Sequence, residues 1–233
     1  MKEAVILAGG FGTRLRAVVS DVPKPMAPIG EEPFLALLMA HLARNGFERV
    51  LLSVGYLADV IVAHFGHAWR GMAVDYVREA APLGTGGAIR AALAHCTADH
   101  AHVFNGDTYL GLDCRETEAL WESRRTPIIV AREVPDTARY GRLEVGADGH
   151  VAGFLEKAVS GGPGWINAGC YVLPVSITAE FPPGDPFSFE TDYLREAVAC
   201  RPVLACSTDA EFIDIGTPED YARAQALLAS LAG

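Results

Sequence analysis

Apolar residues come in short blocks along this chain, separated by glycine or charge, and two kinds of block alternate. Residues 4–8 form an unbroken apolar run that stops at Gly9 and Gly10. So short a run predicts a strand buried on both faces, as in the middle of a parallel sheet. Residues 34–45 are apolar at helical spacing, and Gly46 supplies a stop. The pattern repeats: strand 49–54, helix 57–65, strand 73–77. A loop over 82–87 opens a helix through residue 93. Strand 101–105 then ends at Gly106 and Asp107, before helix 116–124 and strand 127–132. Regular alternation predicts an α/β fold with a doubly wound, mostly parallel, Rossmann-like sheet.

Beyond residue 132 the pattern changes. Strands over 142–145 and 150–155 flank Asp148-Gly149, a strong hairpin signal. A strand over 165–173, a helix over 189–199, short strands over 203–206 and 211–215, and a helix from Pro218 follow. An antiparallel insertion thus follows a parallel core. With no repeat and no linker, residues 1–233 read as one domain. One lobe covers about 1–132 and the other about 133–233.

Composition narrows the classes. Half of the residues are hydrophobic and the net charge is −10, which argues against a basic nucleic-acid or acidic-membrane binder. Among 19 cations only Lys2, Lys24 and Lys157 are lysines, so an internal lysine draws notice. Five cysteines, an odd number without C-x-x-C spacing, predict reduced thiols in a cytoplasmic protein. The N-terminal apolar run is too short for a signal segment, and no run reaches membrane-helix length. His95, Cys96, His100 and His102 fit no standard zinc spacing.

The first chemical signal is Leu7-Ala8-Gly9-Gly10-Phe11-Gly12-Thr13-Arg14-Leu15, followed by Pro23-Lys24-Pro25-Met26. Glycines after a strand let backbone N–H groups approach phosphate oxygens. Leu15 stands where a dinucleotide fingerprint needs its third glycine, and no Walker loop occurs. Alone, the loop also reads as a glycine-rich turn. Arg14 and Lys24 add two cations, and prolines on both sides restrict the backbone of Lys24.

The G-G-x-G-T-R-L loop with its downstream P-K-P resembles the sugar-phosphate nucleotidyltransferases, whose fold is of the nucleotide-diphospho-sugar transferase type. The resemblance implies that Leu7, Ala8, Gly9, Gly10, Gly12, Thr13, Gly84 and Thr85 bind the nucleotide, and that Arg14 and Lys24 grip phosphates at the reacting centre. Asp107 and Asp214 each sit at a strand end, where ligands bind in open α/β sheets and where aspartate also serves as a turn or cap residue. The resemblance implies that both ligate Mg²⁺. It further implies that Glu156 bonds sugar hydroxyls, that Lys157 holds the sugar phosphate, and that Tyr140, Gly141 and Asn167 line the sugar pocket. On its own Lys157 reads as a solvated lysine.

Within the family, residues 8–16, 18–28, 82–88 and 187–190 are similar to members that transfer GMP from GTP to a manno-configured heptose 1-phosphate. Many relatives carry glutamate where this chain has Ala81. Glu79 is expected to read the base, because a carboxylate only accepts and guanine offers two adjacent donors. The expected partners are therefore GTP and a sugar 1-phosphate, with no nucleic acid and no membrane; a homo-oligomer is left open. Alternatives are a mannose 1-phosphate guanylyltransferase, an amino-sugar uridylyltransferase, an inactive nucleotide-sugar-binding regulator and, disfavoured by Leu15, a nicotinamide oxidoreductase.

Overall fold

Strand β1 (Glu3–Leu7) shows why the sheet is covered on both sides: Ala4 and Ile6 face one apolar cluster and Val5 the other. The computed structural model describes residues 1–15, 18–19, 21–155 and 161–228. After β1, a 3₁₀ turn (Lys24–Met26) and two short strands, β2 (Pro28–Ile29) and β3 (Glu32–Pro33), lead into helix α1 (Phe34–Arg44). Then come β4 (Arg49–Val54), α2 (Ala58–Phe65), β5 (Ala68–Trp69), β6 (Met72–Arg78), α3 (Gly84–Leu93), β7 (His100–Asn105), β8 (Thr108–Leu110), α4 (Cys114–Arg124) and β9 (Ile128–Val134). The second part holds β10 (Arg142–Val145), β11 (Val151–Leu155), β12 (Gly164–Pro174), a π-helical turn (Phe189–Leu194) continuing as α5 (Arg195–Cys200), β13 (Leu204–Thr208), β14 (Phe212–Asp214) and α6 (Pro218–Leu228).

One ten-stranded sheet runs through both parts. Its parallel centre is β7-β1-β4-β6, with β5 antiparallel at the edge. The long strand β12 pairs antiparallel with β7, β9 and β10, so it carries the parallel core into the insertion. Helices α1 and α2 cover one face and α3 and α5 the other, giving the doubly wound arrangement. From Phe34 to Leu42 every residue of α1 is buried. That fits its position between the sheet and the cluster formed with β14 and α6.

Several elements differ from the sequence reading. The short strands β2, β3, β5 and β8 were not expected. The predicted helix over 189–199 opens as a π turn, in which Ser188 caps by accepting from the Thr191 N–H at 3.2 Å. Strand β13, in the antiparallel part, pairs parallel with β9. The Asp148-Gly149 hairpin forms as expected, with Gly149 at φ +79°.

His102 is buried and stacks on Phe104, its Nε2 lying 2.9 Å from the Thr117 hydroxyl, and burial drives its pKa well down. Among the described residues no group of three or more His, Cys, Asp or Glu converges as a metal site. All five cysteines are free, but only Cys200 is exposed. Burial pushes Cys96 and Cys114 up to about 12, raises Cys206 and holds Cys170 well above the ordinary thiol range. Because the thiolate is the reactive species, a disulfide reagent at pH 8 is expected to label one thiol quickly in the native protein. Cys200→Ser should remove that phase; a second fast thiol would contradict the burial pattern.

Candidate active site

The carboxyl ends of β1, β6 and β7 open into a cavity of about 390 Å³, lined by Leu7, Gly9, Gly10, Gly12, Thr13, Arg14, Lys24, Glu79, Gly84, Thr85 and Asp107 among others. Of the residues expected to bind nucleotide, only Ala8 is absent from this wall. Its methyl is buried in the core while its N–H donates to the Ser53 carbonyl at 2.8 Å. Side chains alternate along an extended chain, so with Leu7 at the cavity, Ala8 faces away.

A second cavity of about 550 Å³ lies beside the first, lined by Tyr140, Gly141, Asn167, Asp214, Arg139, Phe154 and Glu190 among others. Arg14, Thr85, Asn105 and Asp107 border both. The expected sugar-pocket residues Tyr140, Gly141 and Asn167 therefore meet around one space. Glu156 and Lys157 lie outside the described residues.

Between the cavities sits a charged cluster. The unforeseen strand β8 pairs antiparallel with β14, placing Asp214 opposite Thr108, and the Ile215 N–H donates to the Asp107 carbonyl at 3.0 Å. This short ladder brings together two aspartates that are far apart in sequence. The Lys24 ammonium donates to Asp107 and lies 3.8 Å from Asp214 Oδ1. Burial, with the neighbouring charge of Asp107, raises the Asp214 carboxyl above its ordinary range. Its Oδ1 is buried without a hydrogen-bond partner. Lys24 is fixed from behind: it starts the 3₁₀ turn between two prolines, and its Cβ lies where a Cβ on Gly12 would come within 2.6 Å. Gly12 has φ +58°, so glycine is favoured there for conformation and for space.

Glu79 forms the floor of the first cavity. Its Oε1 accepts from the Ser53 hydroxyl at 3.0 Å and its Oε2 from the Leu83 N–H at 3.1 Å. A Cβ on Gly9 would come within 2.3 Å of Oε1, so this glycine is what lets the carboxylate lie against the loop.

Several lining residues were missed by sequence reasoning. Asn105 lies two residues before Asp107, and its Oδ1 is buried without a partner. Gly216 lines the first cavity just after Asp214. Arg139 borders the second and is held by Asp220, which also accepts from the Thr217 hydroxyl at 2.9 Å. Asp220, in the first turn of α6, is buried, and burial, which would raise its carboxyl, is outweighed by Arg139 and Thr217.

Two adjoining cavities that share Arg14 and Asp107, with Lys24 in the first and Asp214 in the second, suit an enzyme that joins two substrates through phosphate chemistry. The chain belongs to the nucleotidyl transferase family, whose profile matches residues 3–230. It is 38% identical over 224 residues to the D-glycero-alpha-D-manno-heptose 1-phosphate guanylyltransferase of Aneurinibacillus thermoaerophilus, covering 96% of each chain. It is 40% identical over 219 residues to the protein of the same name from Campylobacter jejuni, covering 94% of this chain and 96% of the relative. The structure of HddC from Yersinia pseudotuberculosis superposes with a TM-score of 0.85 at 41% identity, covering 98% of this chain and 100% of that one. HddC has also been solved complexed with GMP-PN. No helix among the described residues is long and apolar enough to cross a membrane.

Proposed function

We propose that the protein transfers GMP from GTP to D-glycero-D-manno-heptose 1-phosphate, releasing pyrophosphate, with both lobes acting as one catalytic unit. The observation that carries the guanine reading is the pinned carboxylate of Glu79. Each oxygen accepts one bond from the protein, and a carboxylate oxygen can accept more than one. Spare lone pairs on both oxygens suit the adjacent N1–H and amino donors of guanine. The relatives' names and the GMP-PN complex of HddC support the same choice of nucleotide and acceptor. The free thiols support a reducing, cytoplasmic setting.

The acceptor phosphate has its second pKa near about 6, so it is largely dianionic at neutral pH and no general base is required. One of its oxygens bonds to the α-phosphorus as the bond to the β-phosphoryl oxygen breaks, and pyrophosphate leaves with the electron pair. The barrier is electrostatic and positional. Arg14, on the shared wall, faces the departing pyrophosphate. Lys24 neutralises charge at the α-phosphoryl group, and Lys157 holds the acceptor phosphate.

The residues also fit a divalent cation. Asp107 and Asp214 converge, and Asp214 presents a buried oxygen without a hydrogen-bond partner. Two carboxylates with substrate phosphates and water suit Mg²⁺, which needs few protein ligands. Held by Asp107 and Asp214, it would supply neutralisation of the phosphoryl oxygens.

The test is a panel of nucleoside triphosphates against heptose and mannose 1-phosphates, followed by pyrophosphate release. GTP with the heptose should turn over fastest. Glu79→Gln should lower GTP use by about 10- to 100-fold, the worth of a charge-assisted hydrogen bond, while leaving UTP use little changed. A preference for UTP or dTTP would overturn the guanine reading, and faster use of mannose 1-phosphate the heptose one.

A further inference from the structure

Glu190 borders the second cavity, far in sequence from the phosphate loop, on the π-helical turn Phe189–Leu194. Isolated π turns occur often at functional sites. The carboxylate is held asymmetrically. Its Oε2 accepts from the Thr85 hydroxyl at 2.6 Å and the Ser188 hydroxyl at 3.2 Å. Its Oε1 has one longer contact, from the Tyr171 hydroxyl at 3.4 Å. Tyr171 is fully buried and accepts in turn from the Asn167 amide at 2.6 Å. The group is thus locked from behind, and the weakly satisfied Oε1 keeps accepting capacity at the cavity.

The lock reaches the nucleotide side. The Thr85 hydroxyl accepts from the Phe189 N–H at 2.9 Å while it donates to Glu190. The Gly86 N–H donates to the Phe187 carbonyl at 2.9 Å, and a Cβ on Gly86 would come within 2.1 Å of the Phe187 ring. The segment carrying Glu190 is therefore seated on the loop that lines the first cavity. Thr85 borders both cavities, but its hydroxyl serves the second.

We propose that Glu190 is a specificity-determining residue: its Oε1 accepts a hydrogen bond from a ring hydroxyl of the acceptor sugar, and Thr85 holds it in register with the nucleotide loop. A polyhydroxylated ring is the chemistry that an acceptor-only side chain selects, since a hydroxyl can donate. An acceptor lacking that hydroxyl leaves a carboxylate short of a partner, and such sites discriminate strongly. The inference rests on the second cavity being the sugar 1-phosphate site.

The experiment compares wild type, Glu190→Gln and Tyr171→Phe on the best acceptor of the panel and on its 2-, 3- and 4-deoxy analogues. Binding of a non-hydrolysable GTP analogue serves as the control for folding and for the first cavity. Glu190→Gln should lower kcat/KM for the full acceptor by about 10- to 100-fold, with nucleotide affinity within about threefold. One deoxy analogue should be poor for the wild type and should lose almost nothing further in Glu190→Gln. Tyr171→Phe, which loosens the carboxylate and leaves the Asn167 amide without its acceptor, should show a smaller effect on the same analogue. Equal losses on all analogues would overturn the inference, as would a loss confined to nucleotide affinity, while the proposed function stands. If the wild type turns over no sugar 1-phosphate, the proposed function fails and the inference with it.

Discussion

Lys24→Ala is expected to lower kcat/KM by about 10³-fold, the upper range for removing one preorganised donor at a reacting centre. The ammonium donates to Asp107, lies 3.8 Å from Asp214 Oδ1 and borders the first cavity. Proline on either side and the packing of its stem on Gly12 hold it there before substrate arrives, so little reorganisation is needed during transfer. Lys24→Arg keeps the charge but replaces a compact ammonium with a planar fork, and it should recover only part of the loss. Pyrophosphate release measures the effect, and an unchanged melting temperature separates it from unfolding. A loss below tenfold would show that Lys24 does not act on the reacting phosphates.

The largest effect on stability is expected at the opposite end of β1. Glu3 is buried and accepts from Arg49 Nη1 at 2.7 Å, the Thr97 N–H at 2.7 Å, the Ala98 N–H at 2.8 Å and the Thr97 hydroxyl at 3.1 Å. It thereby ties β1 to β4 and to the loop before β7. Glu3→Ala leaves two backbone donors and part of a guanidinium unpartnered, and should cost about 3–5 kcal/mol. Urea unfolding measures this, and a change below about 1 kcal/mol would refute the assignment. The pH dependence has a definite sign. Burial pushes the Glu3 carboxyl up, but the Ala98 N–H, Arg49 and Thr97 outweigh it and leave its pKa below the ordinary value. A carboxylate depressed on folding stabilises fully above its unfolded pKa and loses that contribution as pH falls through its folded pKa. Wild type and Glu3→Gln should therefore converge in stability below the usual glutamate range and diverge above it.

The central strands were legible because burial on both faces writes continuous apolar runs, and helices α1 to α3 because their spacing is regular. The glycine-rich loop was legible as a site wall because its glycines, Arg14 and Lys24 are local, and they line the first cavity together. What joins the site was not. Strand β8 is three residues long, too short for any period, yet its pairing with β14 sets Asp107 beside Asp214. Glu190 follows an apolar residue at a helix start, where acidic side chains are common for electrostatic reasons. Its contact with Thr85 spans 105 positions, and nothing local announces it. The pairing of Asp220 with Arg139 is equally silent in the sequence, since the two are 81 positions apart.

The lysine poised between two aspartates also bears on handling the protein. An internal ammonium already offsets much of the carboxylate repulsion in the cleft, so the architecture does not lean on an added cation to hold together. On the proposed Mg²⁺ site of Asp107 and Asp214, a chelator is expected to act as a reversible brake on turnover and to leave a folded protein that magnesium, supplied together with the nucleotide, restarts.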